Sequence, residues 1–516
     1  MLQLENYELK RFWKLLFKKG ILPPHRPLRK SLVWTMKARV IFGIAIFLHT
    51  CLLVLIGLMF YQKNFVSGIA YLVLWIIFSS LFLVHYSIAL TLLWPVDFVA
   101  KQIIIIRAKS KIRKLDNLKV IGIAGSYGKT TMKEVLQAVL SAKFKLASTP
   151  ESVNTPVGIG RWILSNFQSL TPSPVPPTGG TSSPSRGEEN IEVAIVEMGE
   201  HYRGDIKYLC SITPPVIAVV TGINEAHLER MKTMDNIIAT IFEIVDSSKP
   251  KALVILNGDD KNVIENYKRY VWPDHSIERF KIEDLKFKIF NQEELYWEAE
   301  LDGIGKVKIN LLGEYALGDV MAAVIIAKNL GMNGEEIKNG ILNIKPIEHR
   351  LQPVQSANNI LVIDDSYNGN PNGAREAIKV LSRFVNRRKI YVTPGLAETG
   401  KRAPEVHREI GRQLASVVDV VILIKNSVTP WIEEGILQIF SPQEMGRVPE
   451  GGERSNATEN NQTSPLIPPQ ALGREIDAKP QIIYFNTAPE AHSSLSSILK
   501  ANDVVLFQND WGDQYV

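Results

Sequence analysis

Residues 125–131 read Gly-Ser-Tyr-Gly-Lys-Thr-Thr, a set of side chains suited to holding a row of phosphates. Two glycines let successive backbone N–H groups converge on phosphate oxygens. Lys129 can carry a cation to the terminal phosphates, and the Thr130 hydroxyl is a hard oxygen ligand for Mg2+. Before the turn, residues 120–124 read as a buried strand. Behind it, Met132, Val135, Leu136, Val139 and Leu140 form one apolar helical stripe. The N-terminus of that helix adds positive potential at the turn. Position 123 is Ile, so the longer G-x-x-x-x-G-K-[ST] pattern is not met. Strand, turn and helix in this order make Gly125, Ser126, Gly128, Lys129, Thr130 and Thr131 the expected nucleotide-binding set, with ATP and Mg2+ as ligands.

The elements around the turn read as soluble α/β from about residue 117 onward. Runs such as VAIVEMG, VIAVVTGI, ALVILNGDD, ILVIDDSY, KIYVTPG, VVILIK, QIIYF and DVVLFQ recur with helix-like stretches between several of them. Such alternation implies parallel sheet covered on both faces. Residues 171–190 and 441–470 are rich in Pro, Gly, Ser and Asn and are expected to be disordered insertions.

Two runs, 40–61 and 69–94, lack Lys, Arg, Asp and Glu, and each is long enough to span about 30 Å of hydrocarbon. The first begins too far into the chain, behind too long a basic lead, for a cleaved signal peptide. Residues 1–119 hold 18 Lys/Arg against 4 Asp/Glu, whereas the remainder holds 41 against 49. A basic excess beside apolar runs favours a membrane surface over nucleic acid. Ten of those cations precede the first run, one lies between the runs and seven follow. Both ends are therefore expected to face the cytoplasm, as a two-helix hairpin in a bacterial inner membrane. Two cysteines, Cys51 and Cys210, exclude a disulfide framework. The expected organisation is a basic segment (1–39), the hairpin (40–94), a basic linker (95–116), an ATP-binding domain (117–346) and a Rossmann-like domain (347–516).

The short Gly-x-x-Gly-Lys-Thr-Thr form resembles the Mur ligases, the ATP-dependent amide-forming enzymes of peptidoglycan precursor synthesis. Further stretches agree: SVNTPVGIGRWIL (152–164), VAIVEMGEHYRGDIKYL (193–209), VTGINEAHLERMKTMDNI (220–237), and IEHRLQPV with VIDDSYNGNP (347–354, 362–371). The similarity covers residues 117–516 and is strongest to the branch that adds D-alanyl-D-alanine to the muramoyl tripeptide. It implies that a substrate carboxylate attacks the γ-phosphate of ATP and that an amine then displaces phosphate. By position, Lys129 would cradle the phosphates, Thr130 and Glu197 would hold one Mg2+, and His227 would face a second. Arg350 would reach the phosphates from the hinge between domains. Asp365, Tyr367 and Asn368 would line the cleft. The implied partners are a muramoyl peptide, nucleotide- or lipid-linked, a dipeptide amine, and membrane lipid.

Three departures stand out. Ile241 occupies the position where the family usually has a lysine whose carbamate supports the second metal. The adenine-contacting stretch, usually Gly-x-His-Asn-x-x-Asn, reads GEYALGD (313–319), with Ala316 and Asp319 in place of the asparagines. Asp319 can accept a hydrogen bond from the adenine amino group, whereas asparagine both donates and accepts. Finally, residues 1–116 have no counterpart of the family's N-terminal module, which binds uridine diphosphate. A lipid-linked substrate at the cytoplasmic leaflet would suit such an exchange. Two other readings stay open on the sequence: a Mur-like ligase for another peptide or polymer, and a catalytically silent ATP-binding membrane scaffold.

Overall fold

A computed structural model describes residues 35–61, 73, 82–167, 191–225, 228–355, 359–367, 369–396, 399–440 and 479–508. The chain divides into two units, residues 1–106 and 107–516. The first contains helix α1 (Met36–Tyr61) and most of helix α2 (Phe82–Arg113). Each contains a stretch long and apolar enough to cross a membrane, Met36–Leu55 and Val84–Arg113. Ile41 and Ala45 of α1 pack beside Ala89 of α2, while Phe47, Leu55, Trp94 and Val96 keep their apolar surface exposed. Asp97 pairs with Lys37 at 3.2 Å and with Lys101 at 2.7 Å. Residues 95–113, a linker by sequence pattern, continue α2 through Pro95. The insertions expected at 171–190 and 441–470 lie outside the described residues, as does most of 69–81.

The second unit is built on parallel sheet. Strands β1 (Lys119–Ala124), β2 (Leu146–Ser148), β3 (Val193–Glu197), β4 (Ile217–Val220), β5 (Leu253–Asn257) and β6 (Ser276–Phe280) run in the order β2-β3-β1-β4-β5-β6. All five pairings are parallel. Ile121, Ile123, Ile195, Val219 and Ile255 are buried to the last few per cent, as strands covered on both faces require. Helix α3 (Lys129–Leu140) buries the expected stripe of Met132, Val135, Leu136, Val139 and Leu140 and packs against helix α4 (Tyr315–Asn329). Because β1 has β3 and β4 as neighbours, the chain leaves its carboxyl end where the strand order reverses. Open α/β sheets form ligand crevices at that point.

A three-stranded antiparallel sheet, β7 (Phe287–Asn291), β8 (Tyr296–Leu301) and β9 (Gly305–Ile309), follows in the chain. It adds Trp297, Ala299, Leu301, Val307 and Ile309 to the core of the first domain. A second six-stranded sheet forms the last domain: β10 (Gln352–Gln355), β11 (Leu361–Asp365), β12 (Lys389–Thr393), β13 (Val420–Ile424), β14 (Gln481–Phe485) and β15 (Val504–Gln508). Its order is β10-β11-β15-β12-β13-β14, and only β10 is antiparallel to its neighbour.

A buried charge cluster joins the two domains. Glu314, just before α4, meets Lys288 of β7 at 2.5 Å. From the other domain it meets Lys379 at 2.7 Å and Arg383 at 2.6 Å, both at the C-terminal end of helix α5 (Pro371–Ser382) and beyond. Its own backbone N–H donates to Glu376 on that helix. Burial alone would raise the Glu314 pKa, but Lys288, Lys379 and Arg383 outweigh it and hold the carboxyl at about 2. A carboxyl with a depressed folded pKa stabilises fully above its ordinary value of 4.5 and loses that contribution as pH falls toward 2. With allowance for solvent screening, this is worth about 2 kcal/mol. Glu314→Gln is expected to lower the melting temperature at pH 7 and to flatten the acid loss of stability between about pH 4.5 and 2. Calorimetry across that window checks this.

Candidate active site

The phosphate turn is fixed from beneath by the strand beside it. Gly125 has φ +154°, and a Cβ there would collide with the Thr221 hydroxyl. Gly128 takes the left-handed conformation, φ +80°, that opens α3. Ser126 N–H donates to the Gly222 carbonyl at 2.8 Å, and the Thr221 hydroxyl donates to the Tyr127 carbonyl at 2.5 Å. The Tyr127 hydroxyl donates in turn to Asp260 at 2.7 Å, and the same carboxylate accepts from the Ile223 N–H at 3.0 Å. Ends of β1, β4 and β5 are thus tied into one frame.

Lys129 lies folded back in this frame. Its ammonium donates to the Gly125 carbonyl and to both oxygens of Glu200, at 3.0 and 3.1 Å. Glu200 is only 3 % exposed. The Thr130 hydroxyl donates to the Glu197 carboxylate at 3.2 Å. A hydroxyl and a carboxylate side by side are hard oxygen donors that fit Mg2+. Glu197 is held by its own N–H, which donates to the Thr149 hydroxyl at 3.1 Å, while buried Lys133 donates to the Thr149 carbonyl at 3.0 Å. Lys133 faces inward from α3, its ammonium held by that hydrogen bond and by an ion pair with Glu134 at 3.2 Å.

The opposite wall comes from the second domain. Arg350 donates to the Tyr367 carbonyl at 2.6 Å and sits over the Tyr367 ring, 5.2 Å from its centre. Its flanking residues His349 and Leu351 both have positive φ, 58° and 45°, so the hinge backbone carries strain. The Leu351 N–H donates to Asp365 at 3.2 Å. Burial raises the Asp365 pKa and Arg350 draws it back, leaving the carboxyl at about 7. A group titrating there can exchange a proton with a bound amine. Direct bonds cross the cleft: Ser152 to the Tyr367 hydroxyl at 2.9 Å, Asn224 to Asn370 at 3.3 Å and Asn372 at 3.2 Å, and Arg402 to Glu225. Asn370 also caps α5, accepting from the N–H groups of Asn372 and Gly373.

A cavity of about 630 Å³ is enclosed by these parts. It brings together Ser126, Gly128, Lys129, Thr130, Thr131, Glu197, Asp319, Arg350, Asp365 and Tyr367, residues far apart in sequence. Gly125 lies behind them, shaping the turn. His227 and Asn368 lie outside the described residues. Ile241 is fully buried in the helix Met234–Asp246. Glu200, Asn370, Asn372, Glu376 and Arg402 line the same cavity but were not singled out in the sequence. For Glu200 a signal existed: a second acid three residues after Glu197, in the loop that leaves the same strand.

Sheet, turn and cleft define a phosphate-loop nucleotide-binding protein whose second α/β domain forms one wall of the site. Comparison with known proteins narrows this. Residues 123–327 match the Mur ligase middle domain and residues 349–508 the Mur ligase, glutamate ligase domain. The chain belongs to the Mur ligase family. It is 25% identical over 360 residues to the UDP-N-acetylmuramoyl-tripeptide–D-alanyl-D-alanine ligase of Bacillus subtilis, covering 69% of this chain and 72% of that one. It is 26% identical to the enzyme of the same name from Escherichia coli, covering 61% of this chain and 66% of that one, just under two thirds. Among solved structures, MurF from Acinetobacter baumannii superposes with a TM-score of 0.61 at 22% identity, covering 80% of this chain and 78% of that one. The MurF ligase of Thermotoga maritima in complex with ADP gives 0.60 at 24%, covering 79% and 80%. At those identities the superpositions speak for the fold.

With Lys129 engaged by Glu200, nucleotide binding must first break an ion pair that is almost wholly out of water. A competing state of this kind reduces apparent affinity to the fraction of sites it leaves competent. Glu200→Gln is expected to tighten ATP binding several-fold, as titration calorimetry would measure. Unchanged or weaker binding would show that the pair does not compete with the phosphates.

Proposed function

We propose that this protein is an ATP-dependent amide ligase of peptidoglycan precursor synthesis that joins D-alanyl-D-alanine to a muramoyl-peptide carboxylate. The observation that carries the assignment is the shared cavity, with the phosphate turn on one wall and Arg350, Asp365 and Tyr367 on the other. In the first step the substrate carboxylate attacks the γ-phosphorus, the bond to the bridging oxygen breaks, and ADP leaves. In the second, the amine nitrogen attacks the acyl carbon, phosphate leaves, and the amine proton passes to Asp365. The chain does little covalent work here. Once released from Glu200, Lys129 neutralises phosphate charge from one side and Arg350 from the other, and charge neutralisation is a main source of rate in phosphoryl transfer. Thr130 and Glu197 would hold Mg2+, with His227 toward a second ion; bound metal adds further neutralisation of the phosphates. Crossing bonds such as Arg402 to Glu225 keep the two walls together and limit water at the acyl-phosphate.

Residues 36–55 and 84–113 supply helices suited to a bilayer, and the family match starts only at residue 123. Both facts support a membrane-held ligase that takes a lipid-linked muramoyl peptide at the cytoplasmic face. The test offers full-length protein in detergent Mg-ATP and D-alanyl-D-alanine, with soluble uridine-diphosphate muramoyl tripeptide or its lipid-linked form, and reads products by mass spectrometry. An amide product from the lipid-linked form, abolished by Lys129→Ala, is expected. Product from the soluble form alone would remove the lipid-linked substrate from the proposal. No product from either, with ATP bound, would favour a different peptide or a binding scaffold.

A further inference from the structure

One end of the cavity is lined by Asn257, Asp259, Phe280, Ile282, Gly318 and Asp319. Its character differs from the phosphate end, since Phe280 and Ile282 offer a flat apolar wall of the kind a nucleobase packs on. Gly318 lets that wall come close, because a Cβ there would stand 3.3 Å from the Phe280 ring. Most polar groups around this end are already satisfied. Asn257 donates to the Thr221 carbonyl and accepts from the Asp259 N–H, and Asp259 accepts from the Ile282 N–H.

Asp319 is the exception. It is 5 % exposed, and among the described residues its Oδ2 has no hydrogen-bond partner. The titratable groups on neighbouring elements are Tyr127 on the phosphate turn, Tyr315 one turn earlier on α4, Asp259 and Asp260 after β5, Lys281 after β6, and Lys129 and Lys133 on α3. Arg350 and Asp365 stand on the opposite wall. None of them forms an ion pair with Asp319 among the described residues. For a buried carboxyl with no paired cation and one oxygen without a donor, the ionised form is disfavoured. Burial accordingly drives its pKa well upward.

A neutral carboxyl has one O–H donor and one carbonyl acceptor, the same complement as an amide. Adenine offers the matching pair in its exocyclic amino group and an adjacent ring nitrogen. We propose that Asp319 reads the adenine base as an un-ionised acid, accepting from the amino group and donating to the neighbouring ring nitrogen. The departure from asparagine at this position then keeps base selectivity but makes it depend on pH. It rests on the nucleotide site proposed above, not on the identity of the carboxylate or amine substrates.

The experiment measures binding of ATP and of its analogue in which ring nitrogen N7 is replaced by carbon, with neither carboxylate nor amine substrate present, from pH 6 to 9. Wild-type protein is compared with Asp319→Asn, and Lys129→Ala reports whether the phosphate turn binds nucleotide at all. Wild type is expected to prefer ATP by roughly tenfold at pH 6 and to lose that preference as the carboxyl ionises and its donor disappears. Asp319→Asn is expected to keep the preference with no such pH dependence. Equal pH profiles for the two proteins, or loss of the preference in Asp319→Asn with an unchanged melting temperature, would overturn the proposal. Nucleotide binding that survives Lys129→Ala undiminished would instead overturn the site on which it rests.

Discussion

Everything at the nucleotide site depends on how closely β1 and β4 run together where they end. Thr221 stands so near Gly125 that no side chain fits between them, and its hydroxyl holds the Tyr127 carbonyl. The turn is therefore shaped by a neighbouring strand, not by its own sequence alone. From it follow the left-handed Gly128, the direction in which α3 departs, and the placement of Lys129 and Thr130 at the mouth of the helix. Strand packing ordered by apolar burial becomes, within four residues, a set of N–H groups and charges with a fixed aim.

The two walls of the cleft are held differently. The phosphate wall is rigid, tied through Asp260 and Thr149 to three strands. The hinge wall is strained at His349 and Leu351 and held by ion pairs and amide contacts such as Glu314 with Lys379 and Asn224 with Asn370. Contacts of the second kind can be exchanged for contacts to a ligand at small net cost, which suits a wall that admits substrates and then closes on them. The first kind cannot be exchanged without unfolding a strand end.

Much of this was legible in the residues themselves. The nine strand-like runs are strands, because β-rich apolar segments between glycine-bearing turns have few alternatives. The nucleotide turn was legible because backbone conformation at Gly125 and Gly128 demands glycine. The antiparallel sheet β7–β9 was not among those runs, although Trp297, Ala299 and Leu301 alternate with glutamates and Val307 and Ile309 with lysines, because the segments are short and many of their residues are charged or glycine. The role of Lys133 was hidden for another reason: it is set by Thr149, 16 residues away, and local pattern is silent on such a pair. Asp319 shows the opposite limit. Its position was readable, but its charge state follows from burial alone, which no single-residue pattern conveys.

Ile241 has a consequence for the setting in which the protein can work. A lysine converted to its carbamate takes its negative charge from dissolved carbon dioxide, so a site built on one depends on that supply. Here that position is a fully buried aliphatic side chain packed in the helix Met234–Asp246. The acids on the phosphate wall, Glu197 and Glu200, are encoded in the chain and need no such supply. No carbamate can form at an aliphatic side chain, so this helix position adds no charge that depends on dissolved carbon dioxide.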